Sequence, residues 1–376
     1  MNSSVRRVLI IGGGFSGMSA AIQFRKLGIE VDMVEIDPGW RAYGAGISLG
    51  GATLRAFRTL GILDEFLKRG AATDGLDIRL ATGQVIGSVP TPRIAGPDVP
   101  GGGGIMRPEL AAILAEATRA AGVSVRLGCS FAAIEQDEEG VNVRFTDGRR
   151  KRFDLVVGAD GLYSKVRTTL FPDAPQPRYF GQGVWRAVLR RPAEVQRPTM
   201  WIGEHIKPGF NPVSADAMYM FITENRPQNA YVDPAEFVGK VKDLLAPFPD
   251  PLLQSLRAQL SDDSLINYRP LEGLLMKGAW YDGRIVLIGD AVHATTPHLA
   301  SGACIGIEDG IVLAEEIGNG GTAAQALARF QARRFERCRM VVENSARLGE
   351  IEIQHGDKEE HASIMRQSMM ALATPI

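Results

Sequence analysis

Hydrophobic and polar positions divide this chain into segments with different periods. Val5–Ile11 becomes a continuous apolar run from Val8 onward, with β-branched residues, as in a parallel strand buried on both faces. Gly12-Gly13-Gly14-Phe15-Ser16-Gly17 follows, and the spacing predicts a helix over about Phe15–Leu27, stopped at Gly28. Ile29–Val34 predicts a second buried strand, which ends on Glu35. Gly12, Gly14 and Gly17 fit the G-x-G-x-x-G spacing. Those glycines allow a tight turn, close approach of a pyrophosphate, and packing of helix on strand. Strand, helix, second strand and terminal acid in this order predict a dinucleotide site, with the pyrophosphate at the helix N-terminus and Glu35 on a ribose. This unit alone does not separate FAD from NAD.

Further along, a Gly/Ala-rich loop (Ala42–Ile47) precedes a helix predicted over about Gly51–Lys68. Residues 76–89 alternate and predict a hairpin turning at Thr82-Gly83, and Pro90–Gly104 reads as a loop between domains. Arg107–Ala121 predicts a helix, with Pro108 in its first turn and Leu110, Ile113 and Leu114 on its apolar face. Ser124–Leu127, Ala132–Gln136, Val141–Phe145 and Arg152–Val157 predict strands. In 175–275, strand-like runs (Val184–Leu189, Thr199–Ile202, Met218–Thr223) alternate with Pro-rich turns and one helix, Pro234–Leu245. This texture predicts an inserted antiparallel sheet. The buried-strand pattern returns at Gly283–Ile288, and a charged amphipathic helix pattern runs from Thr322. The expected fold is α/β. A Rossmann-like domain with a parallel sheet takes 1–75, 101–174 and 276–320; a substrate domain takes 76–100 and 175–275; a C-terminal helical segment takes 321–376.

Two further motifs follow predicted strands. Gly158-Ala159-Asp160-Gly161 leads into Ser164 and Arg167 at helical spacing, where they can tie the turn to the helix and to nearby phosphates. Gly289-Asp290-Ala291 opens a small-residue loop through Ala303. Asp290 there can accept hydrogen bonds from ribityl hydroxyls, which NAD lacks. A helix predicted from about Gly302 to Ile317 would point its positive end at the N1–C2 edge of a flavin, where the reduced ring is anionic. The two glycine motifs together therefore predict one FAD held at both ends.

Composition narrows the class. The net charge of −1 gives no reason to expect a nucleic-acid partner. Cys129, Cys304 and Cys338 form no C-x-x-C pair, which favours free thiols and a cytoplasmic location. Met1–Ser4 lead directly into the first strand, so no signal peptide is expected, and no apolar run is long enough to span a membrane. The five histidines lack zinc spacing, and no G-x-S-x-G elbow is present, so no metal is expected and the chemistry falls to the flavin.

With Gly12–Gly17 and Glu35, Asp160-Gly161 with Arg167, and Gly289-Asp290 through Pro297, the chain resembles the single-component FAD-dependent aromatic hydroxylases, class A flavoprotein monooxygenases such as para-hydroxybenzoate and salicylate hydroxylases. Pro297-His298-Leu299-Ala300-Ser301-Gly302-Ala303 most resembles the salicylate and 6-hydroxynicotinate branch. Ser301 and Cys304 depart from the Gln and Asn of many relatives. The resemblance implies reduction of FAD by NADH or NADPH, then hydroxylation of a phenolic or hydroxypyridine ring with molecular oxygen through a C4a-hydroperoxyflavin, in aromatic or N-heteroaromatic catabolism. A monomer or homodimer is expected. Alternatives are a flavin monooxygenase or dehydrogenase for a larger polyketide- or quinone-like metabolite, and a non-catalytic FAD-binding sensor.

By the same resemblance, Gly12, Gly14, Phe15, Ser16 and Gly17 hold the pyrophosphate and Glu35 the ribose; Arg41 and Arg107 lie near the ribityl–phosphate chain, and Asp290 bonds the ribityl. Asp160, Pro297, Gly302 and Ala303 complete the cofactor set. Arg107 opens a helix, where its charge opposes the dipole unless an anion is bound. Gly46 and Ile47 are placed against the flavin, with core packing the alternative for Ile47. Trp185, Arg186, Trp201 and Phe221 are substrate candidates. For the aromatic ones sheet core is the favoured alternative, and Arg186 is readable as the partner of a substrate carboxylate or of a surface acid. His205, Tyr219 and His298 are the catalytic candidates, the first two as a relay for a phenolic proton or as ordinary polar residues.

Overall fold

The computed structural model describes residues 5–42, 44–203 and 206–376. Its centre is a six-stranded sheet in the order Tyr281–Asp282, Ile285–Leu287, Leu155–Gly158, Arg7–Ile11, Glu30–Glu35, Ser124–Leu127. All neighbours in it are parallel except the first pair. Val8–Ile10 and Leu155–Val157 are fully buried, as strands covered on both faces must be. The helices Phe15–Lys26 and Gly302–Gly318 pack on each other beside this sheet. An antiparallel meander, Phe131–Gln136, Val141–Phe145 and Arg150–Phe153, lies apart from it.

A second sheet has seven strands, in the order Asn267–Gly273, Arg178–Arg190, Ala217–Asn225, Lys207–Pro212, Thr199–Ile202, Leu76–Leu80, Val85–Val89. It is antiparallel except where Thr199–Ile202 runs parallel to Leu76–Leu80, so the 76–89 hairpin extends the sheet built by 178–273. One face packs on Phe237–Leu245 and Pro251–Gln259, around Trp185, Trp201, Phe210, Leu245 and Leu253. The other turns toward a small sheet of Gly46–Gly50, Gly102–Met106 and Ala71–Thr73.

Several elements depart from the expected pattern. The predicted 51–68 helix is two, Gly51–Leu60 and Leu63–Arg69, because Gly61 adopts a left-handed φ of 84° and ends the first. The predicted strand 152–157 is split between two sheets at Asp154, whose carboxylate accepts the backbone N–H groups of Arg6 and Arg7 at 2.7 and 2.8 Å. Part of the expected 90–104 loop is the strand Gly102–Met106. Strands Lys207–Pro212 and Asn267–Gly273 and helix Pro251–Gln259 carry Pro or Gly that hid them. The C-terminal pattern is two helices, Ala323–Gln354 and Lys358–Ala373, separated where His355 turns left-handed. Among the described residues no helix is long and apolar enough to cross a membrane.

The 15–26 and 302–318 helices meet backbone to backbone. A Cβ on Gly310 would lie 2.5 Å from Ala20 N, and one on Gly306 would lie 2.4 Å from Ser16 Oγ. Gly310→Ala improves helix propensity by about 1 kcal/mol. It should nevertheless destabilise the protein by roughly 1–3 kcal/mol, because the clash is with main chain that cannot rotate away. Urea denaturation of the two proteins measures the sign; a more stable variant would show that the helices separate freely.

Candidate functional site

The dinucleotide turn follows from sterics. Gly12 has a φ of 110°, and a Cβ there would lie 2.3 Å from Ala159 O; one on Gly17 would lie 2.1 Å from Gly12 O. The Phe15–Lys26 helix has no side-chain cap, and a Cβ on Gly14 would meet nothing within 4 Å. Phe15 and Ser16 form its first turn, so their N–H groups are among those the helix leaves without partners. Glu35 accepts Gly13 N–H at 2.7 Å and Asp37 N–H at 2.8 Å, tying the acid to the loop it faces. Arg41 instead pairs with Asp37 at 2.9 Å and is largely exposed, which holds it at the Asp37 turn.

At the opposite end, Gly289 turns with a φ of 62° and releases Asp290 into a short helix. Asp290 reaches solvent in the cleft yet is closely surrounded, and burial raises its carboxyl pKa against the pull of His293 and Arg107. It meets no hydrogen-bond donor among the described residues. The turn is fixed from behind by Asp309. Its Oδ2 accepts Gly289 N–H at 2.9 Å and contacts His293 Nε2 at 2.5 Å, and its Oδ1 accepts Arg334 Nε–H at 2.8 Å. All three side chains are buried. Burial opposes ionisation of both His293 and Asp309, but the ion pairs win. His293 is held well above its ordinary pKa, and Asp309 is brought down to about 2. Glu308 beside it takes Arg334 at 3.0 Å and Arg337 at 2.8 Å. His293 thus orients the turn, and in the buried His293, Asp309 and Cys338 cluster the carboxylate is already taken by Arg334 and Gly289. The helix Gly302–Gly318 begins without a side-chain cap, because Ser301 Oγ donates to Leu299 O. Pro297 starts the turn before it, and Gly302 and Ala303 form its first residues.

The Asp160 motif differs from expectation. Asp160 accepts Ser164 Oγ–H at 2.5 Å and the N–H groups of Lys165 and Val166 at 2.8 and 3.0 Å, so it is spent on a helix N-terminus. Arg167 is fully buried and donates to Ala291 O and Leu162 O at 2.9 and 2.8 Å. It braces the Asp290 turn through Ala291.

The inner face of the seven-stranded sheet carries Arg186 and Val188 opposite Phe221 and Tyr219. The phenol of Tyr219 is hydrogen-bonded to Ser48, and Asn211 Nδ2 donates to Ser48 Oγ at 2.7 Å. Gly46 sits under this ring: its Cβ would lie 2.2 Å from Tyr219 Cδ1, so the glycine serves the tyrosine. Arg107 and Arg186 face the same region and meet no hydrogen-bond acceptor or ion-pair partner among the described residues. Burial lowers both guanidinium pKa values, that of Arg186 to about 10, and the mutual repulsion adds to the fall for Arg186. Burial pushes the Tyr219 phenol up, while Ser48 and the two arginines act the other way.

Other candidates lie elsewhere. Trp185 and Trp201 are on the outer face of the sheet, fully buried, with indole N–H groups donated to Glu224 and Asp250. Strand alternation sends them away from Arg186, so they are core and not substrate wall. Ile47 is likewise core. His298 turns toward the 323–354 helix, with Nδ1 on Thr296 Oγ1 at 2.9 Å and Nε2 3.6 Å from Glu352. It belongs to that junction. His205 lies outside the described residues. Ser48, Asn211 and Asp309 were not singled out from sequence. Adjacent acids set within the apolar run Ile305–Leu313, with Arg333-Arg334 and Arg337 downstream, were the signal available for Asp309.

An uncapped helix at each end, the half-buried Arg107 without an acceptor and the solvent-reaching Asp290 carboxylate without a donor fit the pyrophosphate and ribityl chain of FAD. Residues 6–345 match the FAD binding domain family. The chain belongs to that family, among the class A flavoprotein monooxygenases, and its cofactor is FAD. It is similar to the aurachin C monooxygenase/isomerase of Stigmatella aurantiaca, 31% identical over 92% of this chain and 89% of that protein. It also resembles a 2-heptyl-3-hydroxy-4(1H)-quinolone synthase of Pseudomonas aeruginosa, 31% identical over 92% and 90%. In fold it matches Klebsiella pneumoniae HpxO complexed with FAD and uric acid, with a TM-score of 0.87, 24% identity and full coverage of both chains.

Asp290→Ala should weaken FAD binding by roughly 1.5–3 kcal/mol, the range for a hydrogen bond to a charged group. Titration of apoprotein checks this, and unchanged affinity would remove Asp290 from the cofactor contacts. Asp309→Asn should cost roughly 3–5 kcal/mol of stability, because it leaves His293 buried without its counter-charge and Arg334 with Glu308 alone. Its pH dependence has a definite sign. The Asp309 pKa is depressed to about 2 when folded, against about 3.9 unfolded. Its contribution is therefore complete above about pH 4 and fades as pH falls through 2. Acid denaturation of the variant should be flatter over that window than that of the parent.

Proposed function

We propose that this protein is an NAD(P)H-dependent monooxygenase that hydroxylates a phenolic or N-heteroaromatic ring, bound as an anion between Arg186 and Tyr219. The observation that carries the reading is Arg186: a half-buried guanidinium, crowded enough by its surroundings to lower its pKa, that meets no carboxylate among the described residues and lies on the same sheet face as Tyr219. Such a charge is costly to bury unless a ligand supplies the counter-charge. Bound FAD supplies the activation of oxygen. The chain's own residues hold the ring, raise its electron density and exclude water.

Arg186 favours the ionised form of a ring hydroxyl or carboxylate beside it. The Tyr219–Ser48–Asn211 chain of hydrogen bonds offers a route along which a ring proton can be shared. Phe221, Val188, Met106 and Val213 give the same pocket apolar walls, which keep water from the reacting centre. Uric acid, named with one structural neighbour, is a heteroaromatic acid, and the quinolone named with a relative carries a ring hydroxyl; both chemistries support this reading. The quinolone that one relative is named for making also supports a fused N-heteroaromatic substrate as a candidate.

A screen of NADH and NADPH oxidation across hydroxybenzoates, hydroxypyridines and 4-quinolones, with 18-oxygen incorporation read by mass, tests this directly. With the substrate in hand, Arg186→Met should raise KM tenfold or more with little change in FAD affinity. Tyr219→Phe should lower kcat and divert reducing equivalents to hydrogen peroxide. Full coupling and an unchanged KM in both variants would remove these residues from the reaction.

A further inference from the structure

Three of the four tryptophans, Trp185, Trp201 and Trp280, are fully buried in hydrophobic cores. Trp40 is different. It is half-buried at the mouth of the dinucleotide loop and adopts a left-handed φ of 47°. A bulky residue holds that conformation only where its surroundings impose it, and such outliers concentrate at ligand sites. Here the Asp37 turn imposes it. The Asp37 carboxylate accepts Gly39 N–H at 2.9 Å and Arg41 N–H at 3.0 Å, and Asp37 O accepts Trp40 N–H at 3.1 Å.

The turn lays the indole across Gly13. Trp40 Nε1–H donates to Gly13 O at 2.8 Å, and a Cβ on Gly13 would lie 2.5 Å from that nitrogen. Position 13 therefore requires glycine once Trp40 is in place. The guanidinium of Arg119, in the last turn of the Arg107–Ala120 helix, stands over the indole at 4.7 Å from its centroid. Gly13 N–H is meanwhile held by Glu35 at 2.7 Å. Both polar groups of Gly13 are thus fixed by side chains.

The peptide joining Gly13 to Gly14 is planar and trans, so its carbonyl and its N–H point in opposite directions. Anchoring Gly13 O on Trp40 aims Gly14 N–H away from the indole. Gly14 is the N-cap of the uncapped 15–26 helix, and its N–H meets no acceptor among the described residues. We infer that Trp40 is a cofactor-positioning residue: by locking the Gly13–Gly14 peptide it presents the loop N–H to the pyrophosphate and sets affinity for the adenosine diphosphate half of FAD.

Calorimetric titration of apoprotein with FAD and, separately, with ADP tests the inference. Trp40→Leu should weaken both ligands by tenfold or more and by similar factors. Trp40→Phe keeps an aromatic ring for Arg119 but lacks the N–H, and should retain most of that loss. Asp290→Ala provides the contrast, weakening FAD while leaving ADP unchanged. Weaker FAD with unaltered ADP in the Trp40 variants would overturn the inference, as would full affinity in Trp40→Phe. If Trp40→Leu fails to fold, as judged by circular dichroism, Trp40→Phe alone decides.

Discussion

The carboxylate of Asp309 is the interaction on which the cofactor turn depends. It is entirely removed from water and accepts or contacts a backbone N–H, an imidazole and a guanidinium at once. Burying an acid is unfavourable unless every lone pair is answered, and here the answering groups come from two elements other than its own. Gly289 and His293 come from the Asp290 turn, and Arg334 from the long C-terminal helix. A buried carboxylate of this kind permits little positional slack, so it makes the ligand turn and the C-terminal helix one rigid assembly. Arg167, reaching Ala291 O from the Asp160 motif, extends that assembly to a third motif.

Close approach of backbones is the second constraint. Gly306 and Gly310 let the Gly302–Gly318 helix settle on the dinucleotide helix near Ser16 and Ala20. Gly46 and Gly104 let the small three-stranded sheet approach the seven-stranded one, bringing Ser48 to Tyr219 and Asn211. The cofactor turn and the Ser48–Tyr219 contact are therefore both shaped by where side chains are missing.

These two constraints explain what could be read from the chain. The dinucleotide turn was legible because its glycines, its helix and Glu35 lie within one continuous stretch. The place of Asp290 just after a buried strand was legible for the same reason. Asp160 and Arg167 were legible as a motif but not in their role, since a carboxylate that caps a helix and one that faces a ligand share the same local sequence. Trp185 and Trp201 could not be separated from Phe221 by composition; only strand register places them on opposite faces. Ser48 and Asn211 become neighbours 163 residues apart, across sheets built from glycine- and proline-bearing strands whose hydrophobic period is weak.

The order of strands in the parallel sheet carries a consequence for synthesis. Its central neighbours are Ile285–Leu287, Leu155–Gly158 and Arg7–Ile11, so the sheet begun by the first strand made stays incomplete beyond Leu155–Gly158 until Ile285–Leu287 has emerged. The loops joining these strands are long, and closing them costs entropy before pairing repays it. The nascent dinucleotide unit can form its own turn early, yet the far wall of its ligand cleft arrives only with the Asp290 turn and the helix behind it. Productive capture of FAD is thereby a late event on the ribosome or one that follows release.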